Sequence, residues 1–509
     1  MDSLDPPDPA SFLRAECRRL VAAIFDKGLF SVLLALILWL PLPWGSNWEG
    51  AVYFFSSVVF ALGAACCLLH AHGGLPLTTS FRKAWPALLL IGASVIWIAF
   101  QGSPWFSDLA EKLLPRAALV YPDARQIDPN LLSSFSTDPY YTRLAAFRGA
   151  AYLAMFALIL LLTRDQQRVR WLAYAMVACG VFEALYGSAK SLTGLEFGFF
   201  GKEVRKSVAT GTFVHRNHLA GLLEMTLAVG VGLLIAGKFS SPGGNWRDWL
   251  RGAATFLLSE KAPLRIAVVI MAIGLVLTRS RMGNVGFAAS LSIAGAVYLL
   301  LAPSSRFSSG LVLAILSSIV LVDLVVIGSY FGIEEVARRL EQTTVEEASN
   351  RVDLFDYAVP YVLDYLPFGA GAGSFVASFL PYGGAEVVTP YDHAHNDYLE
   401  FLGEWGIVGV LPMALAVALS LLVALFALRQ RHDALLRAMG FASFMGILAL
   451  LIHSFVDFNL QIPANAGFFV VLMALAWISA FCHQHRNGAR TSPILDAEDE
   501  NRPPRRRHK

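Results

Sequence analysis

The chain has 509 residues, 56% of them hydrophobic and only 15% charged, and its mean hydropathy is +0.55. Soluble chains carry roughly 25% charged residues, so this apolar surplus requires lipid as its solvent. A net charge of +2 excludes the basic footprint of a nucleic-acid binder. The five cysteines (Cys17, Cys66, Cys67, Cys179 and Cys482) show neither metal spacing nor a disulfide framework. The reading is an all-α polytopic membrane protein.

In chain order, residues 1–28 are polar and basic and read as a cytoplasmic N-terminal segment without a cleavable signal peptide. Counting stretches of about 20 mostly apolar residues gives about twelve transmembrane helices. They are centred near Ile37, Val59, Ser94, Ala154, Ala178, Gly230, Ile270, Ser292, Val320, Val417, Gly446 and Val471. The first nine fill 29–331 and the last three fill 405–483. Between them, 332–404 form a large loop, long enough to carry short helices and function. Residues 484–509 read as a disordered cytoplasmic tail. Arginine and lysine crowd the loops of one side, for example Arg164, Arg168 and Arg170, then Arg429, Arg431 and Arg437. The short opposite loops 45–50 and 454–463 carry none, so both termini are expected in the cytoplasm and the large loop on the far side, the periplasm in a bacterium.

Some arginines break that rule. Arg216 lies in Thr210-Gly211-Thr212-Phe213-Val214-His215-Arg216-Asn217-His218 at the far-side mouth of the sixth span, with Asn217 beside it. Arg279 and Arg281 share a tight turn between spans seven and eight, and Arg351 adds a fourth from the large loop. An arginine at membrane depth costs roughly 2.5–3.5 kcal/mol, less near the interface. Each therefore wants an anion, supplied by a headgroup, a carboxylate or a ligand, and three on one face favour a ligand.

The second cluster is Tyr391-Asp392-His393-Ala394-His395-Asn396-Asp397-Tyr398-Leu399-Glu400, ahead of Gly406-Ile407-Val408-Gly409. Asn396 or Asp397 is expected to cap the next helix. His395 then sits at the positive end of the helix dipole as a neutral imidazole able to take a proton from a hydroxyl, oriented by Asp392 or Asp397. A loop-bonded interfacial histidine is the plain alternative. A zinc site from Asp392, His393, His395 and Asp397 is the sharper rival, without a His-Glu-x-x-His spacing to support it. The Gly-rich Pro367–Phe375 stretch lacks the Lys-Ser/Thr of a nucleotide loop and reads as close backbone passage. Asp457, after span eleven, is expected to pair with one of the arginines.

Together these motifs resemble the O-antigen ligase and polymerase superfamily of bacterial inner-membrane enzymes. His395-Asn396, nine residues, Gly406, two residues, Gly409 fits the family's His-Asn/Ser/Gln-to-Gly-x-x-Gly pattern. Gly211-Thr212-Phe213, Arg216-Asn217-His218, Ser280-Arg281, Asn350-Arg351 and Asp457-Phe458-Asn459 support it in the same order. The resemblance spans about Gly201 to Ala466.

It implies a GT-C-like membrane glycosyltransferase with its active site facing the periplasm and no cofactor or metal. The donor would be a glycan on undecaprenyl diphosphate, and the acceptor a hydroxyl of lipid A-core or another glycan. His395 would be the base. Arg216 and Arg281 would clamp the diphosphate, with Arg279 and Arg351 assisting and His393, Asp392, Asp397, Asn396, Asn217 and Asp457 supporting. His215 stands where many relatives have Asn. The motifs do not separate ligase from polymerase or protein glycosyltransferase. A solute transporter is the rival from another class, disfavoured because its ionisable residues would be expected near the bilayer midplane.

Overall fold

The computed structural model describes residues 9–105, 107–113, 132–193, 208–236, 262–301, 356–382 and 391–483, with residues 121, 125, 126 and 129, the stretch 9–20 by its backbone alone. Among the described residues there is no strand. Among the same residues nine helices are long and apolar enough to cross a membrane and two apolar helices are shorter. In order they are α1 (Pro9–Trp39), α2 (Glu49–Ala71), α3 (Trp85–Gln101), α4 (Pro139–Leu162), α5 (Gln166–Thr193) and α6 (Arg216–Ile235). α7 (Ala262–Leu277), α8 (Arg281–Leu301), α9 (Asp397–Gln430), α10 (Ala434–His453) and α11 (Pro463–Phe481) complete the set. They contain eleven of the expected span centres. The expected span near Val320, Arg351 and the tail from residue 484 lie outside the described residues.

α6 is wholly buried, and α10 and α11 nearly so, whereas α1, α2 and α9 keep most of their surface outside. Exposed Ile96, Leu300 and Leu422 on the outer helices present the apolar face that acyl chains solvate. At one end of the bundle, Arg164 and Arg168 pair with Asp26, and the Arg437 guanidinium lies over the Tyr298 ring near the end of α8. The opposite end holds the starts of α6, α8 and α9.

α9 is a broken helix. Gly406 has φ +64° and ψ 177°, and Pro412 follows inside the helix. A break frees carbonyls that lipid cannot satisfy. Here the Gly403 carbonyl accepts from Ala370 N–H, and that of Glu404 from Gly371 N–H, both at 2.8 Å. α3 supplies the rest: Gln101 Nε2 donates to Glu404 at 3.0 Å, Trp97 Nε1 to Trp405 at 2.8 Å, and the Ser94 hydroxyl to Gly409 at 2.8 Å. The Gly-rich turn thus passes backbone against a neighbouring helix. α9 begins at Asp397, ahead of the expected loop boundary at 404, because Gly406 interrupts the helix and does not start it.

Residues 356–382, 107–113 and 132–138 build a small outer layer with its own aromatic core of Phe135, Tyr361, Tyr365, Phe375 and Phe379. Thr137 N–H donates to the Ala370 carbonyl at 2.8 Å, joining the two segments. This layer sits on the break of α9.

At Gly406 a Cβ would stand 2.2 Å from the Pro367 carbonyl oxygen, and the left-handed φ adds strain for any other residue. Gly406→Ala is expected to cost about 1–3 kcal/mol and to lower the detergent-solubilised melting temperature. Gly63→Ala, in open space on α2, should leave it unchanged. Equal behaviour of the two variants in a thermal scan would contradict the role given to the break.

Candidate active site

Asn396 is the N-cap of α9: its Oδ1 accepts from Tyr398 and Leu399 N–H at 3.0 and 3.1 Å, and its Nδ2 donates to the Phe455 carbonyl at 2.8 Å. Asp397 is buried against the α10–α11 turn. Its Oδ2 accepts from the Ser454 hydroxyl at 2.6 Å and from Leu460 N–H at 3.1 Å. These bonds weld the histidine segment to residues 454–460, bringing Asp457 and Phe458 to it.

Phe458 is the ring around which the histidines gather. His393 stacks on it with centroids 4.1 Å apart, and His218 and His395 meet it edge-on at 4.7 and 5.0 Å. His395 precedes the N-cap, adopts φ +48°, and keeps 39% of its side chain exposed, so a substrate can reach it. A left-handed backbone at a β-carbon-bearing residue needs surrounding contacts to hold it. The carboxylate facing His395 is Asp457, with Oδ1 3.8 Å from Nδ1. This corrects the expectation that Asp392 or Asp397 orients the imidazole: Asp392 is exposed and Asp397 is bonded to the turn. Asp457, expected to pair with one of the arginines, faces His395 and His453 among the described residues. Burial alone would raise the Asp457 carboxyl, but the His395 imidazole and the Phe458 N–H hold it well below the usual carboxylate range.

His393 has a different partner. Its Nδ1 lies 2.7 Å from Glu400 Oε1, and Glu400 Oε2 accepts from Ala394 N–H at 2.8 Å. Burial would lower this imidazole, yet the Glu400 carboxylate outweighs it and holds His393 above its ordinary value. With His393 on Glu400 and Asp397 on Ser454, the four-residue zinc arrangement does not assemble. Among the described residues no three His, Cys, Asp or Glu side chains group to hold a metal ion.

The arginines arrive on helix starts at the same end. Arg216 opens α6 after the N-cap His215, with Asn217 next to it. Its approach loop is held by Glu183 of α5, whose Oε2 accepts from Thr212 N–H at 2.8 Å, while Lys190 donates to the Gly211 carbonyl at 3.1 Å. Arg279, at φ +54°, and Arg281 flank Ser280, whose hydroxyl accepts from Gly283 N–H at 3.2 Å at the start of α8. Ala209 N–H donates to the Leu277 carbonyl at 3.0 Å, tying the two arginine turns together. His218, two residues after Arg216, touches Phe458. Three helix N-termini, each favouring negative charge, thus share one end with two arginine turns and His395.

Residues 266–414 match the family model described as O-antigen ligase. Over that stretch, less than half of the chain, the sequence is similar to O-antigen ligases. The match takes in Arg279, Arg281, Arg351, His393, His395, Gly406 and Gly409, and supports the ligase and polymerase superfamily. Arg216 and Asp457 fall on either side of this ligase-like stretch. No curated protein matches the chain.

Sequence reasoning missed several residues here. Glu183 and Glu224 lie inside α5 and α6 and are wholly buried. They count against the argument that disfavours a transporter, and the signal was present, since an acid within an apolar span is costly unless partnered. Glu400, Glu404, His453 and Phe458 were legible only as neighbours of the motif.

A histidine raised by folding contributes stability that is complete below its unfolded value of about 6.5 and is lost as pH rises through the folded value. Melting temperature is therefore expected to fall as pH increases above about 6.5, and Glu400→Gln should flatten that fall. A scan series across neutral pH checks this. An undiminished slope in the variant would remove the pair from the account.

Proposed function

We propose that the protein is an O-antigen ligase-type glycosyltransferase of the bacterial inner membrane, moving a glycan from undecaprenyl diphosphate to an acceptor hydroxyl on the periplasmic face. The observation that carries the reading is the convergence of an exposed His395, backed by Asp457, with the Arg216 and Arg279–Arg281 turns at one end of an apolar bundle. The ligase-like stretch supports it, as does the crowding of basic residues at the opposite end, which by the positive-inside rule would be cytoplasmic with both termini.

In this reading His395 Nε2 takes the proton of the acceptor hydroxyl while Nδ1–H faces Asp457 Oδ1, 3.8 Å away. The oxygen attacks the anomeric carbon from the face opposite the diphosphate, the glycosidic bond to the diphosphate oxygen breaks, and the configuration inverts. Negative charge on the leaving group grows along this path. Arg216 and Arg281, with Arg279 and Arg351, would bind it more strongly in the transition state than in the ground state. Charge-assisted contacts of about 1.5–3 kcal/mol each suffice, and the donor supplies the driving energy. Lipid A-core is the proposed acceptor, and no cofactor or metal takes part.

With purified lipid-diphosphate donor in nanodiscs and excess chelator, His395→Ala is expected to lose about 100-fold or more of the transfer rate. Arg281→Ala should lose about 10–100-fold, with donor binding weakened. Labelling of lipid A-core supports the ligase assignment, whereas labelling of a second lipid-linked glycan makes the enzyme a polymerase. Zinc-restored transfer after chelation overturns the metal-free mechanism. Donor binding without transfer to any acceptor returns the transporter.

A further inference from the structure

Behind His395 the ionisable groups continue inward past Asp457. While Asp457 Oδ1 faces His395, Oδ2 faces His453 Nε2 at 3.8 Å. His453 ends α10, and its Nδ1 lies 2.8 Å from Glu224 Oε1 of α6. Both side chains are shut off from solvent, with 1% and 0% exposure. Glu224 stands eight residues after Arg216, about 12 Å along the helix axis, where an isolated acid is costly. Space for it comes from α8: a Cβ on Gly283 would stand 3.2 Å from Glu224 Oε1, and one on Gly286 3.3 Å from Oε2. Among the described residues His395 Nδ1, Asp457 Oδ2, His453 Nε2 and Glu224 Oε2 have no hydrogen-bond partner. Buried polar atoms left this way are expensive, so the row reads as a device for the site and adds little to stability.

We propose that Glu224 and His453 are positioning residues for His395, acting through Asp457. Both nitrogens of His453 face carboxylates, the arrangement that suits an imidazolium, which donates from both. That cation holds Asp457 ionised and in the rotamer that keeps Oδ1 toward His395. Asp457 then fixes the proton of His395 on Nδ1 and leaves Nε2 to receive one. During transfer the proton stops on His395, and none moves to Glu224. The inference rests on the reading of His395 as the base. The other titratable groups nearby are His393, Asp397 and Glu400 at the start of α9 and His215 and His218 at the start of α6. All stay in place in the variants below.

The test uses the full chain in nanodiscs and needs neither donor nor acceptor. Carbethoxylation of His395 by diethyl pyrocarbonate, followed by peptide mass spectrometry across pH, reads the fraction of neutral imidazole. Removing the cation at His453 leaves the Asp457 charge unbalanced. Glu224→Gln is therefore expected to move the His395 midpoint up by about half a pH unit or more, and Asp457→Asn to move it down. His453→Gln should shift it up as Glu224→Gln does, which covers the case in which one variant fails to fold. An unmoved midpoint in the folded Glu224 or His453 variant, or a downward shift in either, overturns the proposal. In the transfer assay the acid limb of the rate profile should move with the midpoint. Transfer lost evenly at all pH values, with the midpoint unmoved, marks a merely structural pair. Transfer surviving in His395→Ala defeats the base assignment separately, since the carbethoxylation shifts are read without it.

Discussion

The docking of the α9 start onto the α10–α11 turn is the constraint on which the site depends. Asp397 is buried there, with one oxygen accepting from Ser454 and Leu460, and Asn396 binds the turn and caps the helix together. Such caps contribute about 1 kcal/mol, but their larger consequence is positional. They set Phe458 and Asp457 against His395 and put His393 within reach of Glu400. Removing a partner would leave a buried carboxylate uncompensated, the costlier kind of loss.

The same helix is broken nine residues later, and the break is held from two sides. The Gly-rich turn brings backbone N–H groups to the freed carbonyls, and α3 brings Ser94, Trp97 and Gln101. Because irregular backbone in an apolar surround survives only when its polar groups are satisfied, the break couples the outer aromatic layer to the bundle. The layer in turn covers Glu404, whose carboxylate accepts from Phe375 N–H at 2.9 Å. The site therefore rests on helix ends and a pinned turn, which position groups more tightly than free loops do.

Electrostatically the site end is mixed. Arginines stand on the starts of α6 and α8, where the dipoles already favour anions, while Asp397, Glu400, Glu404 and Asp457 are buried around α9. The two sets have different work: the carboxylates engage histidines and backbone within the fold, and the arginines of the α6 and α8 turns reach the same end on separate helices. This separation keeps the histidine cluster and the arginine turns apart at one end of the bundle.

Much of this was legible in the residues. Hydropathy alone located the eleven apolar helices α1 to α11, because a bilayer demands long apolar runs whatever their packing. The cap before α9 was narrowed to Asn396 or Asp397, and His395, Gly406 and Gly409 lie in the stretch similar to O-antigen ligases. Partner choice was not legible. Asp392, Asp397 and Asp457 are equivalent acids in a sequence, and only the turn at 454–460 decides that the third faces His395 while the second serves the backbone. Glu224 and His453 lie 229 positions apart, so nothing local could pair them. Helix periodicity reports which residues are apolar, since that is a property of each side chain against its solvent. Which polar groups meet inside depends on how α6, α8 and α10 cross, and that is settled by packing.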